Sequence, residues 1–271
     1  MRLLLIRPGA IGDFIVSLPA LELFSAGASY TEIWTSEQNR PLARFANATR
    51  SIRETGLDLL ELPDREPPAQ LLDTLASFHR IVSWYGANRE EFREATHRLG
   101  LPIEFFPALP TPSGIHAVDF YWLQAGGAGS ESPHPRLLTG SQQPAAARAV
   151  IHPFASCVRK RWPRPQFQAT AAGLSKHFSV DWCAGPEEQF PGAIRIDNLY
   201  ELACWLAGAR VYIGNDSGIS HLAAATGVPV IVLFGPTDPA VWAPRGPSVT
   251  VLSPFHAIDP VQVIRAALEA I

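Results

Sequence analysis

The stretch GNDSGISHLAAATGVPVIVLFGPTDPAVWAP, residues 214–244, contains the clearest strand–helix–strand pattern of the chain. It begins at the end of RVYIG (210–214), an aliphatic run typical of a buried parallel strand. Residues 217–227 predict a short helix that ends at a glycine, the preferred residue after a helix C-terminus. The run PVIVLF (229–234) predicts the next strand, so the stretch is one unit of an α/β fold.

The turn between this strand and its helix predicts a site for a phosphate group. Asp216 and Ser217 are residue types that cap helix N-termini, and Gly218 lets a ligand approach the backbone. Amides at a helix N-terminus bind phosphate or diphosphate. A structural role is an open alternative, with Asp216 as a cap and His221 as a core residue. A Ser-His-Asp hydrolase is disfavoured, because Ser217 and His221 share one short helix and the chain has no GxSxG motif.

The same alternation of short apolar runs and helical patterns continues along the chain and predicts parallel, doubly wound sheets. The segment 126–148 is rich in Gly, Ser, Pro and Gln and predicts an interdomain linker. We therefore predict an N-terminal Rossmann-like lobe at 1–135 and a C-terminal one at 136–271, with a ligand cleft between them. Strands are predicted at 3–6, 32–35, 57–62, 80–85, 102–106, 149–153, 178–183, 210–214 and 229–234, and helices at 12–26, 68–77, 88–99, 115–126, 165–177, 199–207, 217–227 and 260–270.

Composition excludes several classes of protein. With 271 residues, 47% of them hydrophobic and 17% charged, the chain can form two packed cores and is not disordered. Its net charge of −3 gives no general attraction to nucleic acid. The three cysteines form no CxxC or Cys/His cluster, so we expect reduced thiols and no metal site. No apolar run approaches the ~18 residues of a membrane span, and the N-terminus lacks a signal-peptide pattern, which indicates a cytoplasmic protein.

Two further loops of the second half follow predicted strands and carry polar residues. IHPFASCVRKRWP (151–163) contains Ser156 and Lys160, which can bind phosphate oxygens. WCAGPEEQF (182–190) contains Glu187, whose carboxylate can accept hydrogen bonds from ribose hydroxyls. The alternative for each is an exposed, solvated loop. Because ligands bind at the carboxyl ends of parallel strands, we expect these residues and the anion site above to form one nucleotide pocket.

The opening of the chain has the same layout. RLLLI (2–6) predicts a buried strand, and RPGAIGDF (7–14) places Asp13 after a glycine-rich turn, where a helix begins. A carboxylate there lies at the edge of the sheet where ligands bind, or it only stabilises the helix N-terminus by about 0.3–1 kcal/mol.

These segments together resemble the bacterial lipopolysaccharide heptosyltransferases, the ADP-heptose-type enzymes of glycosyltransferase family 9. The matching elements are RPGAIGDFIVSLPAL (7–21), HPFASCVRKRWP (152–163), AGPEE (184–188) and the 214–244 stretch. They occur in the family's order, whereas residues 30–145 match only in their α/β rhythm. The resemblance implies a GT-B fold, with the nucleotide sugar bound mainly to the C-terminal lobe and the acceptor mainly to the N-terminal lobe.

Residue roles follow from this resemblance. Asp13 corresponds to the family's catalytic base and Lys160 to its phosphate-contacting lysine, so both are predicted as catalytic. The predicted donor-binding residues are Ser156, Glu187, Asp216, Ser217, Gly218 and His221, and the predicted acceptor-binding residues are Arg7 and Gly12. The Asp13 carboxylate would take the proton of the acceptor hydroxyl, and Gly12 would let the acceptor approach the backbone. Arg7 would contact an anionic group of the acceptor unless it is simply a surface charge.

The resemblance also implies a reaction, the transfer of a heptose from ADP-heptose to a lipopolysaccharide core acceptor with inversion at the anomeric carbon. The chain has no DxD motif, so we expect Lys160 and helix amides to stabilise the leaving diphosphate without a metal or other cofactor. The alternatives are the same fold with another nucleotide sugar, of a hexose or N-acetylhexosamine, and a nucleotide-sugar-binding protein without transfer. A lipid-linked acceptor implies peripheral association with the inner membrane.

Two features depart from the family pattern. The family usually has Gly after the His-Pro pair, whereas this chain has Phe154, and the chain is shorter than typical members. We expect the Phe154 ring to crowd or reshape the donor pocket, and the acceptor lobe to be reduced.

Overall fold

The computed structural model describes residues 1–62, 66–110, 114–128, 133–140 and 147–271. These residues form two five-stranded sheets, one from each half of the chain, in which every strand pair is parallel. The predicted α/β class with two Rossmann-like lobes is therefore confirmed. The lobe boundary at residues 135 and 136 stays a prediction.

The N-terminal sheet has the strand order β3-β2-β1-β4-β5. The order changes direction between β1 and β4, and the carboxyl ends of the strands at such a point form a ligand crevice. The elements of this lobe are β1 (Arg2–Ile6), α1 (Ile11–Ser25), β2 (Tyr30–Thr35), β3 (Ala48–Ser51), α2 (Ala69–Ala76), β4 (Arg80–Ser83), α3 (Glu90–Arg98), β5 (Ile103–Phe105) and α4 (Ala117–Gln124).

The C-terminal sheet has the order β10-β9-β8-β6-β7, with its change of direction between β6 and β8. The carboxyl ends of these two strands therefore form the second crevice of the molecule. The elements of this lobe are β6 (Arg148–His152), α5 (Arg164–Leu174), β7 (Ser179–Trp182), α6 (Leu199–Ala207), β8 (Val211–Asn215), α7 (Gly218–Thr226), β9 (Val230–Leu233), α8 (Pro239–Trp242), β10 (Val249–Leu252) and α9 (Pro260–Glu269).

Buried apolar side chains form three layers, because each sheet has two covered faces. One outer layer belongs to the N-terminal lobe, where Leu4 and Ile6 of β1 pack with α2 and α3. The other outer layer belongs to the C-terminal lobe, where Ile151 of β6 packs with α5 and α9. The middle layer runs through both lobes, from Leu5 of β1 to Val150 of β6, through the side chains of α1, α4, α6 and α7.

The two lobes meet most closely where α1 and α7 begin. A Cβ atom added to Gly218 would lie 2.7 Å from Ile11 Cβ and 3.0 Å from the backbone nitrogen of Gly12. Only a glycine fits this contact without a shift of the helices. The sequence therefore lets the two helix N-termini approach each other at the mouth of both crevices.

Polar contacts join the lobes beside this helix pair. Arg245 of the C-terminal lobe donates to both carboxylate oxygens of Asp119 in α4, at 2.6 and 2.5 Å. His116 Nε2 lies 2.9 Å from the carbonyl oxygen of Ala243, and its Nδ1 accepts from the amide of Val118 at 3.2 Å. Because Nδ1 is an acceptor, Nε2 carries the proton and donates across the lobe interface.

One predicted strand is wrong. Residues Leu57–Glu61 form a 3₁₀ helix that begins after Gly56, which adopts the left-handed conformation with φ 69°. Leu57 and Leu60 are both buried, a spacing of three that suits one face of a 3₁₀ helix. The corresponding strand of the sheet is Ala48–Ser51, whose sequence ATRS has no apolar run because it lies at the sheet edge.

The other predicted strands and helices are present, with ends that differ by a few residues. The sequence did not predict α8 or β10. Of the predicted linker 126–148, residues 129–132 and 141–146 lie outside the described part of the chain. Residues 133–140 contain no helix or strand, and Leu137 donates to the carbonyl oxygen of Ala225 at 2.8 Å.

The helices of the described residues are short. α1, with 15 residues, is the longest of them. None has the length and apolar character needed to cross a lipid bilayer.

The close approach of α1 and α7 predicts that Gly218→Ala destabilises the protein. The added Cβ would overlap Ile11 and Gly12, and overpacking of this kind costs about 1–3 kcal/mol. Urea denaturation would measure the loss of unfolding free energy. Gln166→Ala, at an exposed position of α5, is the control and should change that free energy by less than about 0.5 kcal/mol. Equal stabilities of Gly218→Ala and wild type would contradict the tight contact.

Candidate active site

Turns from both lobes line one cavity of about 480 Å³. The N-terminal lobe contributes mainly the turn after β1, and the C-terminal lobe contributes the loops after β6 and β8. These are strands at which the sheet orders change direction, so the two crevices face a common space. The lining residues are Ala10, Ile11, Gly12, Asp13, Gln38, Leu109, His152, Ala155, Ser156, Lys160, Glu188, Asp216, Ser217, Gly218, Ile219, His221, Thr237 and Trp242.

The cavity brings together all of the predicted site residues except Arg7 and Glu187. Asp13 and Gly12 come from the start of α1, whereas the other six come from the C-terminal lobe. Local strand–turn–helix patterns pointed to Ser156, Lys160 and the 216–218 turn, and the family resemblance supplied the roles of all eight residues. Their common location is a structural finding, and their chemical roles stay predictions.

Arg7 lies beneath the turn and does not line the cavity. It is only 3% exposed, and its guanidinium donates to the carbonyl oxygens of Pro8 and Asp13 at 3.0 and 2.9 Å. It also donates to the hydroxyl of Tyr121 at 2.8 Å, and burial raises the pKa of that hydroxyl to about 12. Neither predicted location, at the acceptor or on the surface, matches this position. Arg7 fixes the shape of the turn that carries Asp13.

Asp13 lies in the first turn of α1, on the N-terminal side of the cavity. No described residue donates a hydrogen bond to its carboxylate or pairs with it, although its backbone carbonyl accepts from Arg7. A carboxylate without a protein partner can accept a proton from a bound ligand.

Lys160, Asp216 and Thr237 form a polar network in the C-terminal lobe's part of the cavity lining. Lys160 Nζ donates to Asp216 Oδ2 at 2.7 Å, and Thr237 Oγ1 donates to the same oxygen at 2.6 Å. Asp216 is 5% exposed, and a carboxylate buried to that extent needs such partners. The network fixes the lysine beside the start of α7. Thr237 was not among the residues predicted to bind the donor, although the sequence places its loop, after a Gly-Pro turn at the carboxyl end of β9, beside the predicted pocket.

The N-terminus of α7 opens into the cavity beside this network. Ser217 is the N-cap residue, and its side chain makes no capping hydrogen bond. Within the described part of the chain, the amides of Ser217, Gly218 and Ile219 donate to no acceptor. Unpaired amides at a helix N-terminus carry partial positive charge and favour anions. Together with Lys160 they make this side of the cavity suited to a phosphate or diphosphate.

Glu188 lines the cavity, whereas its neighbour Glu187 is exposed and does not line it. Glu188 Oε2 accepts from the amide of Gly185 at 2.7 Å and from His152 Nε2 at 3.0 Å. No described residue donates to Oε1, which leaves this oxygen for a ligand. Burial by itself would raise the pKa of Glu188, but the hydrogen bonds from His152 and Gly185 outweigh it and hold the pKa below its usual value.

His152 was not predicted as a site residue, because a histidine at the end of a buried strand resembles an ordinary core residue. It is 2% exposed and lines the cavity through its contact with Glu188. The expected crowding by Phe154 is not found. Phe154 does not line the cavity, and its ring lies 5.9 Å from His152 and 6.4 Å from Phe190, centroid to centroid.

His221 is buried at the interface of the lobes, one turn into α7. Its ring edge would lie 3.2 Å from a Cβ atom added to Gly12. Burial lowers the pKa of His221 to about 4, and the positive charge of Lys160 and the proximity of His116 act in the same direction, against the attraction of Asp216. The imidazole is therefore neutral at neutral pH.

Comparison with known proteins agrees with the sequence resemblance. Residues 130–262 match the sequence model of Glycosyltransferase family 9 (heptosyltransferase). Lipopolysaccharide heptosyltransferase 1 of Pseudomonas aeruginosa is 31% identical over 118 residues, which are 39% of this chain and 33% of that protein. Lipopolysaccharide heptosyltransferase 3 of Escherichia coli is 30% identical over 112 residues, 35% of this chain and 33% of the relative. These matches span about a third of the length of either relative.

Solved structures resemble the whole chain. Escherichia coli ADP-heptose lps heptosyltransferase II superimposes with a TM-score of 0.75 at 16% identity, covering 100% of this chain and 98% of that one. The Escherichia coli heptosyltransferase WaaC with ADP superimposes with a TM-score of 0.69 at 18% identity, and the superposition covers 100% of both chains. At such identities the likeness concerns the fold.

The two lobes and the cleft between them thus define a protein of the GT-B fold class, as the resemblance implied. Within that class, residues 130–262 match the sequence model of glycosyltransferase family 9. The resemblance found in the sequence is confirmed.

The burial of His221 predicts a pH-dependent contribution to stability. Between pH 6.5 and about 4 the unfolded chain binds a proton at this residue and the folded protein does not, so the folded protein loses stability as the pH falls. The loss attributable to His221 should reach about 3 kcal/mol near pH 4, and it should be absent above pH 6.5. Urea denaturation of wild type and His221→Gln between pH 4 and 8 would measure it.

His256→Gln is the control, because His256 is exposed. It should leave the pH profile of stability unchanged. Identical dependence of the unfolding free energy on pH in wild type and His221→Gln would show that His221 is not a buried neutral histidine.

Proposed function

We propose that the protein is an inverting glycosyltransferase that transfers a heptose from ADP-heptose to a lipopolysaccharide core acceptor without a metal ion. The arrangement of charge in the cavity is the observation that carries this proposal. Asp13 of the N-terminal lobe lines the same cavity of about 480 Å³ as Lys160 and the start of α7 in the C-terminal lobe. The match of residues 130–262 to family 9 and the heptosyltransferase relatives support the choice of reaction.

The C-terminal lobe would bind the donor. Its diphosphate fits the amides of Ser217 and Gly218, with Lys160 and Ser156 beside them. Glu188 replaces Glu187 as the proposed ribose contact, because Glu188 lines the cavity and no described residue donates to its Oε1. These positions would leave the sugar between the two lobes, within reach of a base on α1.

Asp13 would act as the catalytic base. As the acceptor oxygen bonds to the anomeric carbon, its proton passes to the Asp13 carboxylate and the bond from that carbon to the diphosphate oxygen breaks. The base comes from the N-terminal lobe and the diphosphate site from the C-terminal lobe, and in the proposed reaction the acceptor attacks from the face opposite the leaving group. A single displacement of this kind inverts the configuration of the anomeric carbon.

The negative charge that develops on the leaving diphosphate would be stabilised by Lys160 and by the α7 amides. Preorganised donors of this kind stabilise a transition state because they need no reorientation during the reaction. Asp216 and Thr237 hold the lysine in place before the donor arrives. The ammonium of Lys160 and the α7 amides would donate to the diphosphate in the role that a metal ion has in other glycosyltransferases.

The acceptor would bind on the N-terminal lobe, beside Gly12 and Asp13. A lipid-linked acceptor places the protein on the cytoplasmic side of the inner membrane as a peripheral protein. The same fold with a different nucleotide sugar remains the second candidate, and comparison of ADP-heptose with UDP-hexoses as donors distinguishes the two.

The proposal predicts that purified protein forms a glycosylated core acceptor from ADP-heptose in the presence of EDTA, with an anomeric configuration opposite to that of the donor. Asp13→Asn should lower kcat by about 10²- to 10⁴-fold, the usual contribution of a general base. Product formation would be followed by mass spectrometry and NMR. Calorimetry should show that Asp13→Asn still binds ADP, because the donor site lies on the other lobe.

Asp58→Asn is the control, since Asp58 is an exposed carboxylate of the same lobe outside the cavity. It should retain wild-type turnover. Turnover by Asp13→Asn close to that of wild type would contradict the assignment of the base, and a requirement for a divalent cation would contradict the metal-free mechanism.

The neighbouring glutamates give a second prediction. In Glu188→Gln an amide replaces the carboxylate that would bind ribose, and the loss of charge-assisted hydrogen bonds should raise KM for the donor about tenfold or more. Glu187→Gln should leave it unchanged, because Glu187 is exposed and does not line the cavity. Steady-state kinetics at varied donor concentration would measure both, and the reverse ranking of the two variants would exclude Glu188 as the ribose contact.

A further inference from the structure

A second cavity, of about 470 Å³, opens beside the cleft on the N-terminal lobe. It shares Leu109 with the cleft and is lined by Ala87 and Asn88 after β4 and by Pro107 after β5. We refer to this cavity as the β5 groove. Because β1, β4 and β5 are neighbours in the sheet, the groove continues along the same carboxyl edge that carries Asp13. With strands about 4.8 Å apart, the β5 end of the groove lies roughly 10 Å from the end of β1.

Arg93 of α3 is the only charged residue among the described residues that line the β5 groove. Its side chain is exposed, and its guanidinium carbon lies 5.9 Å from the ring centroid of Phe105. Within the described part of the chain, no carboxylate forms an ion pair with it. A guanidinium in this position can bind a carboxylate or a phosphate through two parallel hydrogen bonds.

The groove also has apolar surface. Leu109 is 58% exposed at the junction with the cleft, and Phe105 presents a half-buried ring beside Arg93. Such surfaces can pack against the C–H faces of sugar rings while the arginine binds their charged substituents. Beyond Arg93 and Phe105 a further open cavity of about 560 Å³ contains Glu90 and Glu94, so the part that favours an anion is the groove next to the cleft.

We propose that the β5 groove binds the acceptor beyond its reacting sugar, and that Arg93 binds a carboxylate or phosphate on that part of the acceptor. This inference rests on the proposed function, because it needs a glycan acceptor at Asp13. The cleft of about 480 Å³ has the size of a site for one small ligand, so the donor occupies it and the remaining acceptor units lie outside. The β5 groove begins where the cleft ends, on the lobe that carries the base.

The test is the kinetics of Arg93→Gln with ADP-heptose and a lipopolysaccharide core acceptor that carries both carboxylates and phosphates. KM for the acceptor should rise by about tenfold or more, the usual effect of losing a hydrogen-bonded ion pair. The kcat and KM for the donor should stay within about twofold, since Arg93 touches neither the cleft nor the α7 turn. Arg93→Lys should recover part of the acceptor affinity.

Arg98→Gln is the matched control. Arg98 is exposed on the same helix and lines neither the groove nor the cavity beyond it. Arg98→Gln should leave kcat and the KM values for donor and acceptor unchanged. An acceptor KM of Arg93→Gln equal to that of wild type, or a loss confined to kcat or to the donor KM, would overturn the proposal.

Two acceptor analogues identify the anion. One has its carboxylates reduced to alcohols, and the other lacks its phosphates. The analogue that has lost the group bound by Arg93 should give the same KM with wild type and with Arg93→Gln. If the acceptor KM of Arg93→Gln exceeds that of wild type about tenfold with both analogues, Arg93 contacts neither anion and the proposal fails.

Calorimetry with the acceptor alone separates this inference from the proposed function. Acceptor binding by wild type that weakens in Arg93→Gln supports the groove even if no transfer is detected, in which case the proposed reaction fails. Transfer at equal acceptor affinity in both proteins supports the reaction and rejects the groove.

Discussion

Gly218 at the start of α7 lies against Ile11 and Gly12 at the start of α1, and the positions of the other site residues follow from this contact. It brings the carboxyl edge of one sheet to face that of the other. A Cβ atom at Gly218 would overlap Ile11 and the backbone of Gly12, and relief of this overlap would move Asp13 away from the amides of α7. Two glycines on different lobes thus determine the distance across which the proposed reaction occurs.

The electrostatic design of the site follows from burial. Asp216 is nearly inaccessible to water, and it is stabilised there by the ammonium of Lys160 and the hydroxyl of Thr237. Glu188 is stabilised in the same way by His152 and the backbone of Gly185. Each carboxylate is therefore fixed by the protein before any ligand arrives. Asp13 differs from both, because no described residue donates to its carboxylate.

Local patterns were sufficient to predict most of this site. Asp13, Lys160 and Ser217 each follow a recognisable strand, so their position at a sheet edge could be derived without coordinates. The choice between Glu187 and Glu188 could not be derived in this way, because a shift of one residue in a turn changes which side chain lines the cavity. His152 was missed for a different reason, since its partner lies 36 residues away in the sequence.

The errors in the fold have a similar origin. The segment LDLLEL (57–62) has the apolar content of a strand, and only its packing distinguishes it from a helix with a spacing of three. The true edge strand, Ala48–Ser51, has mostly polar residues, so no local signal marks it. Arg7 looked like a surface charge or a ligand contact, yet its four polar partners include Tyr121, which is distant in sequence and adjacent only after folding.

The middle apolar layer, shared by α1, α4, α6 and α7, has a consequence for how such a molecule can change over evolution. Each outer layer is confined to one lobe, but the middle layer is completed only when both lobes are present. Neither lobe is therefore an interchangeable module. Replacing the N-terminal lobe with that of a distant relative would set a foreign surface against α7, so a new acceptor preference must arise by changes in the loops, while the buried faces of the two lobes change together.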